Sequence, residues 1–267
     1  MTQAMRMMEE NVKLVDGIIL VLDARAPRAS LNKKLEKVFG NKKILYVLNK
    51  CDLVEKSDCL KTVTSFKQEG KETVAISAMD KKSVDLLYDK IFTMLKEKVE
   101  RNKEKGVFKP MRVMVAGIPN TGKSTIINAL VGSKKATTGD KAGVTRGKQW
   151  VRIRELELLD TPGTMPPSFE NQTLATHLAF LGSMNDANLD FSDLAFELIK
   201  FLQENYPTLL AEKYGIEDTS EETIALFDKI CVRRGFLLKR GEYDYERCAK
   251  AVIDDFRKGR IGKIILD

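Results

Sequence analysis

The sequence predicts an α/β protein: a Rossmann-like, mostly parallel sheet with helices on both faces, followed by a small all-α C-terminal domain. Three observations predict it. The runs 17–22 and 44–48 are continuously apolar, and 111–116 is apolar but for Arg112; all three are of strand length, as parallel strands covered on both faces are. Segments with a one-sided helical apolar stripe alternate with them. Beyond Pro166-Pro167 the strand pattern stops and only helical patterns follow. The domains are expected at 1–165 and 166–267.

A chain of 267 residues can hold one large or two medium cores. Its net charge of +7 fits an anionic partner, nucleic acid or an anionic surface, as well as it fits plain solubility. Cys51, Cys59, Cys231 and Cys248 form no C-x-x-C pair, and His177 is the only histidine. That argues against a zinc site and a disulfide framework, and for a reducing cytosol. No run is long and apolar enough to span a bilayer, and no secretory signal is expected.

In chain order, residues 1–15 carry Met5, Met8, Val12 and Val15 at helical spacing, a core-packing helix. Strand 17–22 ends in Asp23-Ala24-Arg25-Ala26-Pro27. Charges just past a buried parallel strand stand where α/β sheets bind ligands, and a solvated turn accounts for them equally well. A basic helix follows over 31–39. Strand 44–48 ends in Asn49-Lys50-Cys51-Asp52, which fits N-K-x-D. The Asp52 carboxylate can accept from the N1–H and exocyclic amine of guanine. Adenine has no N1–H and would leave a buried charge unpaired, a mismatch of several kcal/mol where about 1.4 kcal/mol is tenfold in affinity. Asn49 is placed to tie this loop to a phosphate loop, and the stem of Lys50 to cover the base. Strand 73–76 ends in Ser77-Ala78, whose Ala78 N–H can reach the guanine carbonyl. Helix 82–98 has Val84, Leu87, Ile91 and Leu95 on one face, and 97–109 is a charged connector.

The stretch Gly117-Ile118-Pro119-Asn120-Thr121-Gly122-Lys123-Ser124 reads G-x-x-x-x-G-K-S, between strand 111–116 and a helix over 125–131. Gly117 and Gly122 let the backbone curl its N–H groups inward, and the helix start aims further N–H groups at the same anion. Pro119, Asn120, Thr121, Gly122, Lys123, Ser124 and Thr125 form the expected phosphate-contacting set. Lys123 brings charge to the terminal phosphates, and Ser124 a hydroxyl to Mg²⁺. Residues 134–148 lack an apolar period and suit a loop that orders on nucleotide, with Thr145 as a second hydroxyl ligand to Mg²⁺. A strand pair over 149–153 and 156–159 ends in Asp160-Thr161-Pro162-Gly163, D-x-x-G. Asp160 can hold Mg²⁺ through water, and the Gly163 N–H can touch a γ-phosphate and report its loss. Lys123, Thr145 and Gly163 are therefore the catalytic candidates.

Together these motifs, each at a strand tip, specify a P-loop GTPase with GTP or GDP as ligand. The base motifs precede the phosphate motifs, so the chain resembles the circularly permuted GTPases. With Asp23-Ala24-Arg25-Ala26-Pro27 after the first strand, it resembles the bacterial ribosome biogenesis GTPase A family over nearly its whole length. That resemblance implies an assembly factor for late maturation of the large ribosomal subunit, a cytoplasmic monomer whose partners are that subunit and its rRNA, with no membrane or DNA partner. Asn120 in G-x-P-N-x-G-K-S also resembles the asparagine of GTPases whose activity K⁺ raises, which implies K⁺ as an activator held beside the phosphates by Asn120. The chain departs from the family in reading Ala142-Gly143-Val144-Thr145 where Pro-Gly-x-Thr is usual, which loosens the loop but keeps the threonine. The family begins with a segment ending in Gly-His-Met, whose histidine is tied to hydrolysis. This sequence starts at the matching Met, so either that segment is cut away or the activity differs. Thr164 stands where many GTPases carry a water-orienting glutamine and this family an apolar residue. Slow intrinsic hydrolysis, raised by the ribosome, is therefore expected. A guanine-nucleotide-dependent RNA-binding module with little hydrolysis is the alternative.

In the tail, helices are expected over 171–181 and 190–205. A third is expected after a capping box at Thr219-Ser220-Glu221-Glu222, running to Arg234 and stopped by Gly235, and a last one from Asp244 to Lys258, stopped by Gly259. Arg233, Arg234, Lys239, Arg240, Arg257, Lys258, Arg260 and Lys263 give this domain basic ends, suited to rRNA phosphates once a ribosomal partner is implied. The short proline link from Gly163 suggests that γ-phosphate loss re-aims the domain. Asp52→Asn is expected to relax base preference from guanine toward xanthine. Competition binding with xanthosine and guanosine nucleotides checks it, and unchanged selectivity would count against the assignment of Asp52 to the base.

Overall fold

The computed structural model describes residues 3–133, 150–165 and 171–267. Thr145, with the rest of 134–149, and Pro166-Pro167 lie outside the described residues. The chain forms two compact units, Met1–Glu170 with Ile265–Asp267, and Asn171–Ile264. The boundary thus falls a few residues past the expected 165/166, and the last three residues belong with the first unit.

The first unit is built on strands β1 (Gly17–Asp23), β2 (Lys43–Asn49), β3 (Thr73–Ala75), β4 (Met111–Ala116), β5 (Trp150–Ile153) and β6 (Leu156–Asp160). They form one six-stranded sheet in the order β3-β2-β1-β4-β6-β5. All neighbours are parallel except β5 and β6, which pair antiparallel. Every residue of β1 is buried, because the two-residue period sends a fully apolar strand to both faces. Ile19 and Val21 join Val47, Val113 and Val115 on one face; Ile18, Leu20 and Leu22 join Leu48, Met114 and Leu159 on the other.

The helices of this unit are α1 (Gln3–Val12), α2 (Pro27–Ser30), α3 (Lys33–Phe39), α4 (Lys56–Gln68), α5 (Lys81–Met94), α6 (Lys96–Glu104) and α7 (Lys123–Ser133). Val84, Leu87 and Ile91 of α5, with Ile126, Ile127 and Leu130 of α7, cover the first face. Met5, Met8 and Val12 of α1, Leu35 and Phe39 of α3, and Phe66 of α4 cover the second. The basic helix expected over 31–39 divides: Pro27 opens the single turn α2, and the Asn32 side chain then accepts from the Lys34 N–H (3.0 Å) to start α3. The chain's end returns to this point. Leu266 N–H donates to Arg25 O (2.7 Å), and the Asp267 carboxylate accepts from the Arg28 and Ala29 N–H groups (both 2.8 Å).

The second unit holds α8 (Gln172–Phe180), α9 (Phe191–Asn205), α10 (Pro207–Tyr214), α11 (Thr223–Arg233) and α12 (Tyr245–Arg257). Leu194, Leu198 and Leu202 put the apolar stripe of α9 inward, and the other helices of the unit pack around it. Asn171, Asp190 and Asp244 cap α8, α9 and α12 with their side chains. The capping box at 219–222 does not form. Asp218 takes both the N–H and the hydroxyl of Ser220 (2.8 and 2.6 Å), Gln203 donates to the carbonyls of Thr219 and Glu221, and α11 starts only at Thr223.

The basic ends of this unit are largely compensated. Arg257 donates to the Phe180 and Ala179 carbonyls (3.1 and 2.9 Å) at the end of α8 and pairs with Asp186 (2.8 Å). Lys258 pairs with Asp254, while Asp255 takes Arg234 (3.1 Å), Arg260 (3.3 Å) and Lys213 (3.6 Å). Asp255 is buried, so removing it strands three cations around one point. Asp255→Ala is expected to destabilise the protein by about 3 kcal/mol, the scale for breaking a buried ion pair. Urea denaturation measures it, and a loss below about 1 kcal/mol would show the cluster to be solvent-screened.

Candidate functional site

The parallel strands all end at one edge of the sheet, and their register aligns the motifs. Asp23 of β1 faces Asn49 of β2, and Val115 of β4 faces Asp160 of β6. The turns after β1, β2, β3, β4 and β6 therefore gather along that edge, where open α/β sheets bind ligands.

Asn49 joins two of these turns. Its Nδ2 donates to Thr121 O (2.9 Å) in the glycine loop, and its Oδ1 accepts from the Ala78 N–H (3.1 Å). The expected tie to the phosphate loop is present, and the Ala78 N–H expected to face guanine is here held by Asn49. Lys50 sits in the left-handed region (φ 65°) and sends its ammonium to Asn120 O (2.7 Å) and the Asp23 carboxylate (2.8 Å). Asp52 is exposed on the single 3-10 turn Cys51–Leu53, while Ser77 is buried and its hydroxyl accepts from the Met79 N–H (3.3 Å).

The Asp23-Ala24-Arg25 turn is not solvated. Asp23 and Arg25 are only 1% and 2% exposed, and the carboxylate accepts from Arg25 N, Nε and Nη2 (3.1, 3.0 and 2.9 Å). Burial alone would raise the Asp23 carboxyl, but the charges and hydrogen bonds of Arg25 and Lys50 hold it below the usual carboxylate range. Sequence reasoning left these residues evenly between a ligand edge and a solvated turn, and missed their work as the base of the site. The signal was an acid two residues from an arginine at the end of a wholly apolar strand.

The glycine loop is shaped by close approaches. A Cβ on Gly117 (φ 150°) would lie 2.4 Å from Val21 O, and one on Gly122 (φ 93°) 2.3 Å from Asn49 Nδ2. Asn120 is also left-handed (φ 62°). The buried Thr121 hydroxyl donates to Ile118 O (3.1 Å), and so does the Lys123 ammonium (2.7 Å). Gly163 is pressed onto this loop, for a Cβ there would lie 2.7 Å from Pro119 N. Thr164 N–H donates to Gly117 O (3.2 Å), while the Thr164 side chain is buried, its hydroxyl 3.6 Å from Met8 Sδ. Thr164 therefore points away from the exposed side of the loop, where Ser124 and Thr125 lie at the start of α7.

Burial pushes the Lys123 ammonium down to about 8, opposed by the Asp160 charge. The Asp160 carboxyl is pushed up by burial, opposed by Lys123 and the Thr161 N–H. Each group is thus poorly solvated, with the other as a charged neighbour, a state that added phosphate and metal charges would relieve. The Ser124 hydroxyl and Asp160 carboxylate are hard oxygen donors of the type Mg²⁺ prefers. The donor set fits a nucleoside polyphosphate with its divalent cation. Of the residues expected to act on it, Thr145 alone lies outside the described residues.

Comparison with known proteins agrees with this geometry. A family described as 50S ribosome-binding GTPase matches residues 112–226. The chain is 37% identical to the ribosome biogenesis GTPase A of Priestia megaterium, over 100% of this chain and 94% of that one. It is 38% identical to the protein of the same name from Bacillus licheniformis, over 99% and 94% of the two chains. Among solved structures it resembles GNP-bound YlqF from T. maritima, with a TM-score of 0.67 and 25% identity over 100% of this chain and 98% of that one.

The lowered Lys123 has a pH consequence. A polyphosphate favours the charged ammonium, so binding above its depressed value takes up a proton and weakens as pH rises. Affinity for GDP is expected to hold below about pH 8 and then fall by up to about tenfold per pH unit. Fluorescent-nucleotide titration checks this, and a flat profile to about pH 9 would show Lys123 to be fully charged before nucleotide arrives.

Proposed function

This chain belongs to the ribosome biogenesis GTPase A family, the circularly permuted GTPases, and on that premise we propose that it is a GTP-hydrolysing assembly factor for late maturation of the large ribosomal subunit, its turnover stimulated by the ribosome. The observation that carries the GTPase reading is Asn49, one buried amide that holds the base turn, the Ser77-Ala78 turn and the phosphate loop as one site. In this reading Asp52 takes the guanine, beside Lys50 and Ser77, while Asn49 holds Ala78 and its turn in place next to the base. Pro119, Asn120, Thr121, Gly122, Lys123, Ser124, Thr125 and Gly163 take the phosphates. Mg²⁺ is held by Ser124, by Thr145 and, through water, by Asp160, and supplies charge neutralisation between the phosphates. K⁺ beside Asn120 would add a second cation there.

The buried Thr164 supports a slow intrinsic rate. No side chain at that position is free to orient a water, so the ribosome supplies what hydrolysis lacks. The same observation supports the second reading, a guanine-nucleotide-dependent RNA-binding module with little turnover. In the helical unit Arg233, Lys239 and Arg240 are among the exposed cations outside the ion pairs described above, and the proposed contact with rRNA phosphates centres on them.

GTP turnover in K⁺ and in Na⁺ buffer, with and without large subunits, tests both readings. An assembly GTPase shows stimulation of about tenfold or more by the subunits, larger in K⁺, with the K⁺ advantage lost in Asn120→Ala. Nucleotide-dependent subunit binding without stimulated turnover would select the binding module.

A further inference from the structure

The sheet has a second end, opposite the turns that carry the nucleotide motifs. The N-terminal ends of β1, β2, β4 and β6 meet there, at Gly17, Lys43, Met111 and Leu156. Two hollows lie side by side on this pole and share Lys109 and Pro110. One, of about 220 Å³, has an apolar wall of Phe92, Val99 and Met111, with Lys103 and Arg152 also lining it, and Phe108 at its side. Phe108 is 92% exposed, the most exposed large apolar side chain among the described residues. The other, of about 360 Å³, is lined by the cations Lys13, Lys42, Lys98, Lys109 and Arg112. Asp16 pairs with Lys98, Glu157 with Arg112 (2.9 Å), and Lys42 donates to Val15 O (2.6 Å), so the hollow keeps a net positive charge of three, with Lys13 and Lys109 outside these contacts.

A fully exposed phenylalanine is costly to keep in water without a partner, and a cluster of cations repels itself without an anion. A flat aromatic face next to a cationic hollow matches one chemistry on both counts: a base with a neighbouring backbone phosphate. Stacking on an aromatic ring needs a base with a free face, which duplexes withhold and single strands offer. We propose that this pole binds single-stranded RNA, with an unpaired base on Phe108 and the adjoining phosphates in the neighbouring hollow, at Lys13 and Lys109. The proposal rests on the ribosomal reading above and adds to it a contact made by the nucleotide-binding unit itself. Because the pole lies at the other end of the strands from Lys123 and Asp52, RNA can be held there without occluding GTP.

The test uses the full chain and a fluorescein-labelled, unstructured RNA oligonucleotide, read by anisotropy over a range of salt. Wild type is expected to bind the single strand, with a self-complementary duplex of the same length competing poorly. Phe108→Ala should weaken binding about tenfold, the scale of one lost stacking contact. Lys13→Ala with Lys109→Ala should lower the log–log salt slope by about 1.4, as for two phosphates on a single strand. GDP affinity, which neither variant touches, confirms that both are folded. The proposal is overturned if wild type ignores the RNA, if the duplex competes equally, or if Phe108→Ala binds as wild type does while Lys239→Ala with Arg240→Ala abolishes binding. If Phe108→Ala loses large subunits yet keeps its RNA affinity, the surface belongs to a ribosomal protein and the proposal also falls. Subunit-stimulated turnover is measured separately, so failure of this contact is distinguishable from failure of the ribosomal reading.

Discussion

A buried carboxylate at the end of the central strand supports the rest of the site. Asp23 would be costly to hold ionised in that position, and its oxygens are repaid by Arg25 and Lys50. The cost and the compensation together fix geometry. Arg25 locks the turn after β1, and Lys50 is drawn into a left-handed backbone that sets the direction of the base turn. Because the same ammonium reaches Asn120 O, the phosphate loop is positioned from beneath by the strand beside it. Asn49 repeats the arrangement one residue earlier with neutral groups. The nucleotide site is thus a set of turns pinned to each other by buried polar contacts, and its precision comes from rigid strand ends.

Charge is distributed by the same logic. In the helical unit, much of the basic content that suggests nucleic acid closes internal structure: Arg257 terminates α8 and Asp255 gathers three cations. The surplus of +7 therefore expresses itself in fewer places than the composition implies. Exposed cations remain on the turn at Lys239 and Arg240 and at the pole of the sheet around Lys109.

The strand ends were legible because the chemistry there is local. A buried parallel strand announces itself by an unbroken apolar run, and each motif follows its strand directly, so sheet and site could be read together. What escaped depends on partners far along the chain. Helix α4 buries only Cys59 and Phe66 of its thirteen residues, too thin a stripe to mark a helix among Ser, Thr and Lys. Helix α10 is short and opens on a proline that reads equally as a turn. Arg257 meets carbonyls more than seventy residues away, which no spacing rule anticipates. The capping box gave way to other contacts: Asp218 turns the chain at Ser220, Gln203 holds the carbonyls of Thr219 and Glu221, and α11 starts only at Thr223.

The bridge made by Asn49 also has a meaning in time. A ribosome releases this chain from the N-terminus, and β1, β2 and β3 can pair while β4 is still unmade. The buried amide of Asn49 then has no acceptor, because Thr121 follows 72 residues later. The half of the site that carries the proposed base contacts is therefore complete in sequence, but its tie to the glycine loop waits until Thr121 emerges. In an unpermuted GTPase the phosphate loop comes first and waits for the base. Here the order is reversed, and the contact that joins the two halves forms only when the later half arrives.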